Sequence, residues 1–181
     1  MPTLVIVSGP PGAGKTTVAR SLAGRFERSA LVAGDDFFAC IDQGYVPPWT
    51  ADAQHQNEVV LSAAAAAAGR MAQGGYTVVY EGVLGPWFLD TFAAATGLRQ
   101  VHYVVLLPSE RTCVGRVRAR VAHGFTDVEA TRHMYRQFAG AALEDRHVLT
   151  RTARPAATAA SIVDLVRGGS LVRTTGGTSA P

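Results

Sequence analysis

The ten residues SGPPGAGKTT, 8 to 17, follow directly on the apolar run TLVIV and lead into a helical pattern. No other stretch restricts the fold as strongly. Gly9, Gly14, Lys15 and Thr16 complete the pattern G-x-x-x-x-G-K-[ST]. The glycines allow the backbone to curl until its amides face inward, and a helix opening straight after the loop turns the positive end of its dipole toward an anion. A strand, a tight loop and a helix in that order make a phosphate cradle. Its expected members are Gly9, Pro10, Pro11, Gly12, Ala13, Gly14, Lys15, Thr16 and Thr17. Lys15 reaches β- and γ-phosphates in such a loop, and the Thr16 hydroxyl is a ligand for Mg²⁺.

The motif alone does not choose between nucleotides, but the lysine count does. The 17 Lys and Arg residues include a single lysine, Lys15. A guanine-reading Asn/Thr-Lys-x-Asp element needs a second lysine, so ATP with Mg²⁺ is the expected pair.

Five apolar, β-branched runs read as strands, at 3–8, 30–34, 76–81, 101–107 and 147–150. Helical patterns at 14–26, 52–73, 86–96, 109–122, 127–143 and 156–167 separate or follow them. Alternating strands and helices imply an α/β chain with a mostly parallel sheet covered on both faces. With 48% apolar residues, 181 residues suffice for one domain with a real core. That domain is expected over 1–167, with a helical lid at 109–143 and a flexible tail over 168–181, rich in Gly, Ser and Thr. The alanine run at 63–68 reads as a helix packed closely on the sheet, stopped by Gly74 and Gly75. TDVE, 126–129, has capping-box form with Thr126 as N-cap and Glu129 at N3.

In an open α/β sheet a ligand lies outside the carboxyl ends of the strands. Asp35 and Asp36 stand at the end of the second run and Glu81 at the end of the third. A kinase usually offers a carboxylate to the hydroxyl it phosphorylates, so these acids are candidates for substrate and metal contacts. Either aspartate also suits a helix cap before FFACI. Glu81 has three readings: positioning Mg²⁺, touching the acceptor, or accepting from backbone amides. Tyr45, Trp49 and Trp87 are candidates for an acceptor wall, with plain packing as the alternative. Gln56 and Asn57 are candidates for polar contacts, as is His55, or for an ordinary helix surface.

Arg116 and Arg120 share a helix face four residues apart, as do Arg132 and Arg136. Arginines on a lid can neutralise charge on a phosphoryl group in transfer. The first pair are the catalytic candidates beside Lys15 and Asp35, and the second pair are candidates for phosphate contact on closure. Gly124 is a candidate hinge, and Arg154 a candidate border for adenine. All these arginines also suit solvated helix faces.

Composition excludes several classes. Cys40 and Cys113 form no short-spaced pair for a zinc site or disulfide scaffold. No signal-like start and no long apolar run is present, which leads to the expectation of a cytoplasmic protein without a membrane partner. Net charge is only +3 with no arginine block interleaved with aromatics, so no nucleic-acid partner is expected. The expected partner is a small-molecule hydroxyl acceptor, and the expected state a monomer or weak homodimer.

Taken together, GPPGAGKTT, GDDFF, GYVPPW, QNE, GGYTVVYEGVLGPWFLD and the arginine-bearing helix pair resemble the small P-loop kinases. That group includes chloramphenicol phosphotransferase, the zeta-toxin-like kinases and bacterial proteins called AAA family ATPases. The likeness spans roughly residues 1–165. It implies a three-layer α/β/α P-loop NTPase domain with five strands in the order 2-3-1-4-5. It also implies phosphorylation of an antibiotic or nucleoside-like compound, with a nucleotide sugar as the alternative acceptor. A non-kinase ATPase module is the contrasting class. In these kinases an aspartate after the second strand activates the acceptor, which corresponds to Asp35, or to Asp36 in the other register. Related sequences often carry Asp-Gly after the third strand; Glu81-Gly82 here keeps the charge and changes its reach.

Overall fold

In the computed structural model, which describes residues 3–120, 125–151 and 154–175, the apolar run before the glycine loop becomes β1 (Thr3–Ser8) at the centre of a sheet. Parallel partners flank it, β3 (Thr77–Glu81) on one side and β4 (Gln100–Leu106) on the other. Outside them lie β2 (Ser29–Ala33) and β5 (Val148–Leu149), giving the expected order β2-β3-β1-β4-β5. A sixth strand, β6 (Val172–Thr174), pairs antiparallel with β4.

Leu4, Val5, Ile6 and Val7 are all fully buried, because helices cover both faces of β1. Leu4 and Ile6 enter a core with α3 (Gln54–Gln73) and α4 (Pro86–Ala95), whereas Val5 and Val7 meet α1 (Lys15–Ala23) and α7 (Pro155–Arg167). The result is the three-layer α/β/α arrangement of a P-loop NTPase. Among the described residues no helix is long and apolar enough to cross a membrane.

The alanine-rich helix packs as its composition implies. Ala64, Ala65, Ala68 and Ala72 are fully buried on α3. At Gly69 a Cβ would lie 1.9 Å from the Thr96 carbonyl oxygen, so α3 meets the end of α4 backbone to backbone.

Several expectations are corrected. The second strand ends at Ala33, and GDDFF forms a short helix, α2 (Gly34–Phe38), that no periodicity announced. The lid helices are shorter than their patterns, α5 (Glu110–Arg118) and α6 (Val128–Ala139). Asp127, not Thr126, caps α6, its carboxylate accepting from the Ala130 amide at 2.9 Å. Gly124 lies outside the described residues. The tail does not begin at Gly168: Leu171 is fully buried, its carbonyl accepts from the Tyr103 amide at 2.9 Å, and β6 follows. Residues 176–181 lie outside the described residues.

Candidate active site

Parallel pairing sets three strand ends level. Glu81 of β3 is in register with Ala33 of β2 and Val7 of β1, so the glycine loop, α2 and Glu81 open on one edge. Gly9, Gly12 and Gly14 adopt φ values of 140°, 77° and 97°, which L side chains rarely take. A Cβ at Gly9 would lie 2.2 Å from the Leu106 carbonyl oxygen, and one at Gly12 2.2 Å from that of Cys113. The loop is thus seated on β4 and α5 with no room for side chains at these points.

Lys15 is buried, and its Nζ donates to the Pro10 carbonyl at 3.1 Å. Burial lowers its pKa from the usual lysine range, opposed by the charges of Glu81 and Asp35. Thr16 Oγ1 donates to Glu81 Oε1 at 2.9 Å, and Glu81 is only 7% exposed. These two oxygens are brought together across 65 residues of sequence.

The two aspartates part company. Both sit in the first turn of α2, whose N-cap is Ala33 without a side-chain cap, so neither caps it. Asp35 lines a cavity of about 810 Å³ that begins at Pro11, Lys15 and Thr16 and runs between α3 and α6. Both aspartates are exposed, but Asp36 does not line it.

Tyr45, Trp49 and Trp87 all line that cavity. Trp49 meets Phe125 edge-on at 5.0 Å, and Trp87 tilts against Phe138 at 5.3 Å. Asn57 lines it too, with Nδ2 donating to the Pro48 carbonyl at 2.8 Å. Gln56 does not. Its amide donates to the Val46 carbonyl at 2.6 Å and accepts from the Val46 amide at 2.7 Å, splinting the loop that carries Tyr45. His55 also lies outside the lining.

The lid arginines divide similarly. Arg120 lines the cavity, donating to the Phe125 carbonyl at 2.8 Å. Arg116 turns to the outside of the glycine loop, where Nη1 donates to the carbonyls of Gly12 and Ala13, each at 3.2 Å. Arg132 is engaged with Glu129 at 3.0 Å and Glu110 at 3.6 Å, and Arg136 is exposed outside the cavity. Arg154 stands exposed at the start of α7 and does not line the cavity.

Sequence reasoning missed the residues that α6 does present to the cavity, His133, Met134 and Gln137. The arginine pair drew attention to the wrong stripe; buried Met134 marked the right one. Tyr80 and Gln54 were missed as well.

A family model described as an AAA domain matches residues 4–142. No curated protein matches the sequence. Among solved structures, the tunicamycin resistance protein of Deinococcus radiodurans is similar with a TM-score of 0.68 at 14% identity, covering 91% of this chain and 95% of that one. A sugar kinase of Janibacter sp. HTCC2649 has a TM-score of 0.68 at 19% identity, covering 91% of this chain and 94% of its own. The APS kinase CysC of Mycobacterium tuberculosis, solved with AMPPNP and APS, has a TM-score of 0.66 at 16% identity, covering 91% and 97%. At such identities the likeness is one of fold.

Proposed function

The chain belongs to the AAA domain family, and we propose that it is an ATP-dependent phosphotransferase acting on a hydroxyl of a small molecule. One observation carries this reading. A single cavity joins Lys15 and Thr16 of the glycine loop to the carboxylate of Asp35 and then to an aromatic wall. The cavity of about 810 Å³ includes the phosphate end at Lys15 and Thr16, but Tyr45, Trp49 and Trp87 line it as well, and a module that only hydrolyses ATP has no need of such a wall. The similar folds of a sugar kinase and an APS kinase support the same reading. The similar fold of a tunicamycin resistance protein supports an antibiotic or nucleoside-like acceptor.

In this reading the acceptor oxygen attacks the γ-phosphorus, the bond to the bridging β–γ oxygen breaks, and ADP leaves. The acceptor proton passes to Asp35. Loop amides and the Lys15 ammonium hold the β- and γ-phosphate oxygens, and the Arg120 guanidinium adds positive charge from the lid side. Thr16 Oγ1 and the Glu81 carboxylate, hydrogen-bonded together, are hard oxygen donors that fit Mg²⁺. Mg²⁺ ordinarily takes one or two protein ligands and completes its shell with phosphate oxygens and water. When bound, Mg²⁺ neutralises phosphate charge.

The test incubates purified protein with γ-labelled ATP and a panel of antibiotics bearing hydroxyls, nucleosides and nucleotide sugars. Acceptor-dependent label transfer is expected, and slow phosphate release across the whole panel would sink the reading. Asp35→Asn should lower kcat about 100-fold or more while leaving ATP affinity unchanged. Asp36→Asn should change kcat by no more than about threefold, as expected of a surface group away from the chemistry.

A further inference from the structure

Tyr80 lies on β3, 1% exposed, with its ring 4.6 Å from that of Phe92. Its ring is core, but its hydroxyl is not satisfied by the core. Tyr103, the other deeply buried tyrosine of the sheet, donates its hydroxyl to the Leu84 carbonyl at 2.8 Å. The Tyr80 hydroxyl has no hydrogen-bond partner among the described residues, and Tyr80 lines the cavity. The oxygen is not sealed in the core: among the described residues the fully buried unpartnered side-chain atoms are Asn57 Oδ1, His102 Nδ1 and His147 Nε2, and the Tyr80 hydroxyl is instead reached from the cavity, where a ligand oxygen can pair with it.

Two glycines make space for this oxygen. A Cβ at Gly34 would lie 2.4 Å from it and one at Gly82 2.7 Å. Gly34 immediately precedes Asp35, and Gly82 immediately follows Glu81. The phenol oxygen therefore ends between the backbones that carry the two carboxylates. Burial, reinforced by the charges of Asp35 and Glu81, raises the Tyr80 pKa far above the usual phenol range, so the group remains a neutral donor. The carboxylates on either side only accept.

We propose that Tyr80 is an acceptor-contacting residue, its hydroxyl donating a hydrogen bond to a second oxygen of the acceptor, next to the hydroxyl that receives phosphate. The attacking oxygen gives its proton to Asp35 and needs its lone pair free for phosphorus; a donor on that pair would weaken it. The neighbouring oxygen has no such demand. This inference rests on the phosphotransferase reading and narrows its substrate class. The acceptor carries two adjacent oxygen functions, as in a vicinal diol, joined to a flat apolar group for the aromatic wall.

The experiment measures binding rather than turnover, by calorimetry with a non-hydrolysable ATP analogue present. Probes come in pairs: uridine with 2′-deoxyuridine, and 1-phenyl-1,2-ethanediol with 2-phenylethanol. Wild type should bind at least one diol about tenfold more tightly than its partner, and Tyr80→Phe should erase that preference. The variant should keep its affinity for the ATP analogue and unfold at or above the wild-type temperature, since the lost hydroxyl has no protein partner. A preference that survives in Tyr80→Phe overturns the proposal, as does a wild type that shows no preference or binds no probe. Diol preference without label transfer overturns the phosphotransferase reading and leaves the diol contact of Tyr80 standing.

Discussion

Gly12 and Gly44 share almost the same left-handed backbone, with φ of 77° and 76°, in opposite surroundings. A Cβ at Gly12 would run into the Cys113 carbonyl, while one at Gly44 would meet nothing within 4 Å. The first belongs to the phosphate end of the site, the second to the loop that carries Tyr45 and Trp49. Phosphate is read by backbone amides, whose direction holds only if the loop is wedged against its neighbours. In the proposed reading the acceptor meets side chains on a strip of chain that touches solvent, where rings supply contact area and the backbone needs only local splints such as Gln56 on Val46.

The strongest way to break this contrast is to add one methyl group at each glycine. Gly12→Ala should cost about 3 kcal/mol or more in denaturant unfolding, combining a left-handed backbone penalty with a clash against main chain. Gly44→Ala should cost only about 1 kcal/mol, the backbone penalty alone. Equal losses would mean that packing does not distinguish the regions.

Arginine substitutions sharpen the contrast further. Arg116→Ala removes two hydrogen bonds from the carbonyls of Gly12 and Ala13 and should weaken ATP binding about tenfold by calorimetry. Arg132→Ala breaks surface ion pairs and should leave ATP affinity unaltered and stability within about 0.5 kcal/mol. On the acceptor side, Trp49→Ala should raise the KM of the acceptor about fivefold without altering the KM for ATP. A change in the ATP constant would show that the wall and the loop are one unit.

The smallest effect lies at neither end. His102 and His147 are buried near the β4 edge, and burial lowers the pKa of both below 6.5. Around that pH the unfolded chain binds more protons than the folded one, so stability rises with pH and is lost as pH falls below about 6.5, until the folded-state pKa is passed. A melting temperature a few degrees lower at pH 5.5 than at pH 7.5 is expected, with no change in the relative behaviour of the Gly12 and Gly44 variants.

Much of the sheet was legible, because fully covered parallel strands demand continuous apolar runs and this chain supplies them in order. α2 was not legible. Five residues carry too little periodicity to mark where such a helix starts. β6 was hidden by the opposite error. Its Gly-, Ser- and Thr-rich neighbourhood reads as a free tail, yet burial of Leu171 pulls it onto β4. In the site, the loop chemistry was written in adjacent residues, whereas the Thr16–Glu81 contact and the Tyr80 hydroxyl depend on strand register.

The amino-acid sequence alone determined the phosphate cradle, since glycines, lysine and threonine at fixed spacing act through local backbone geometry. It also singled out an acidic pair after the second strand. Only the tertiary structure decided which acid faces the cavity, which arginine braces the loop and which stripe of α6 looks inward. Neighbouring residues on a helix point about 100° apart. Their spacing is written in the sequence, but their orientation is set by what the helix packs against.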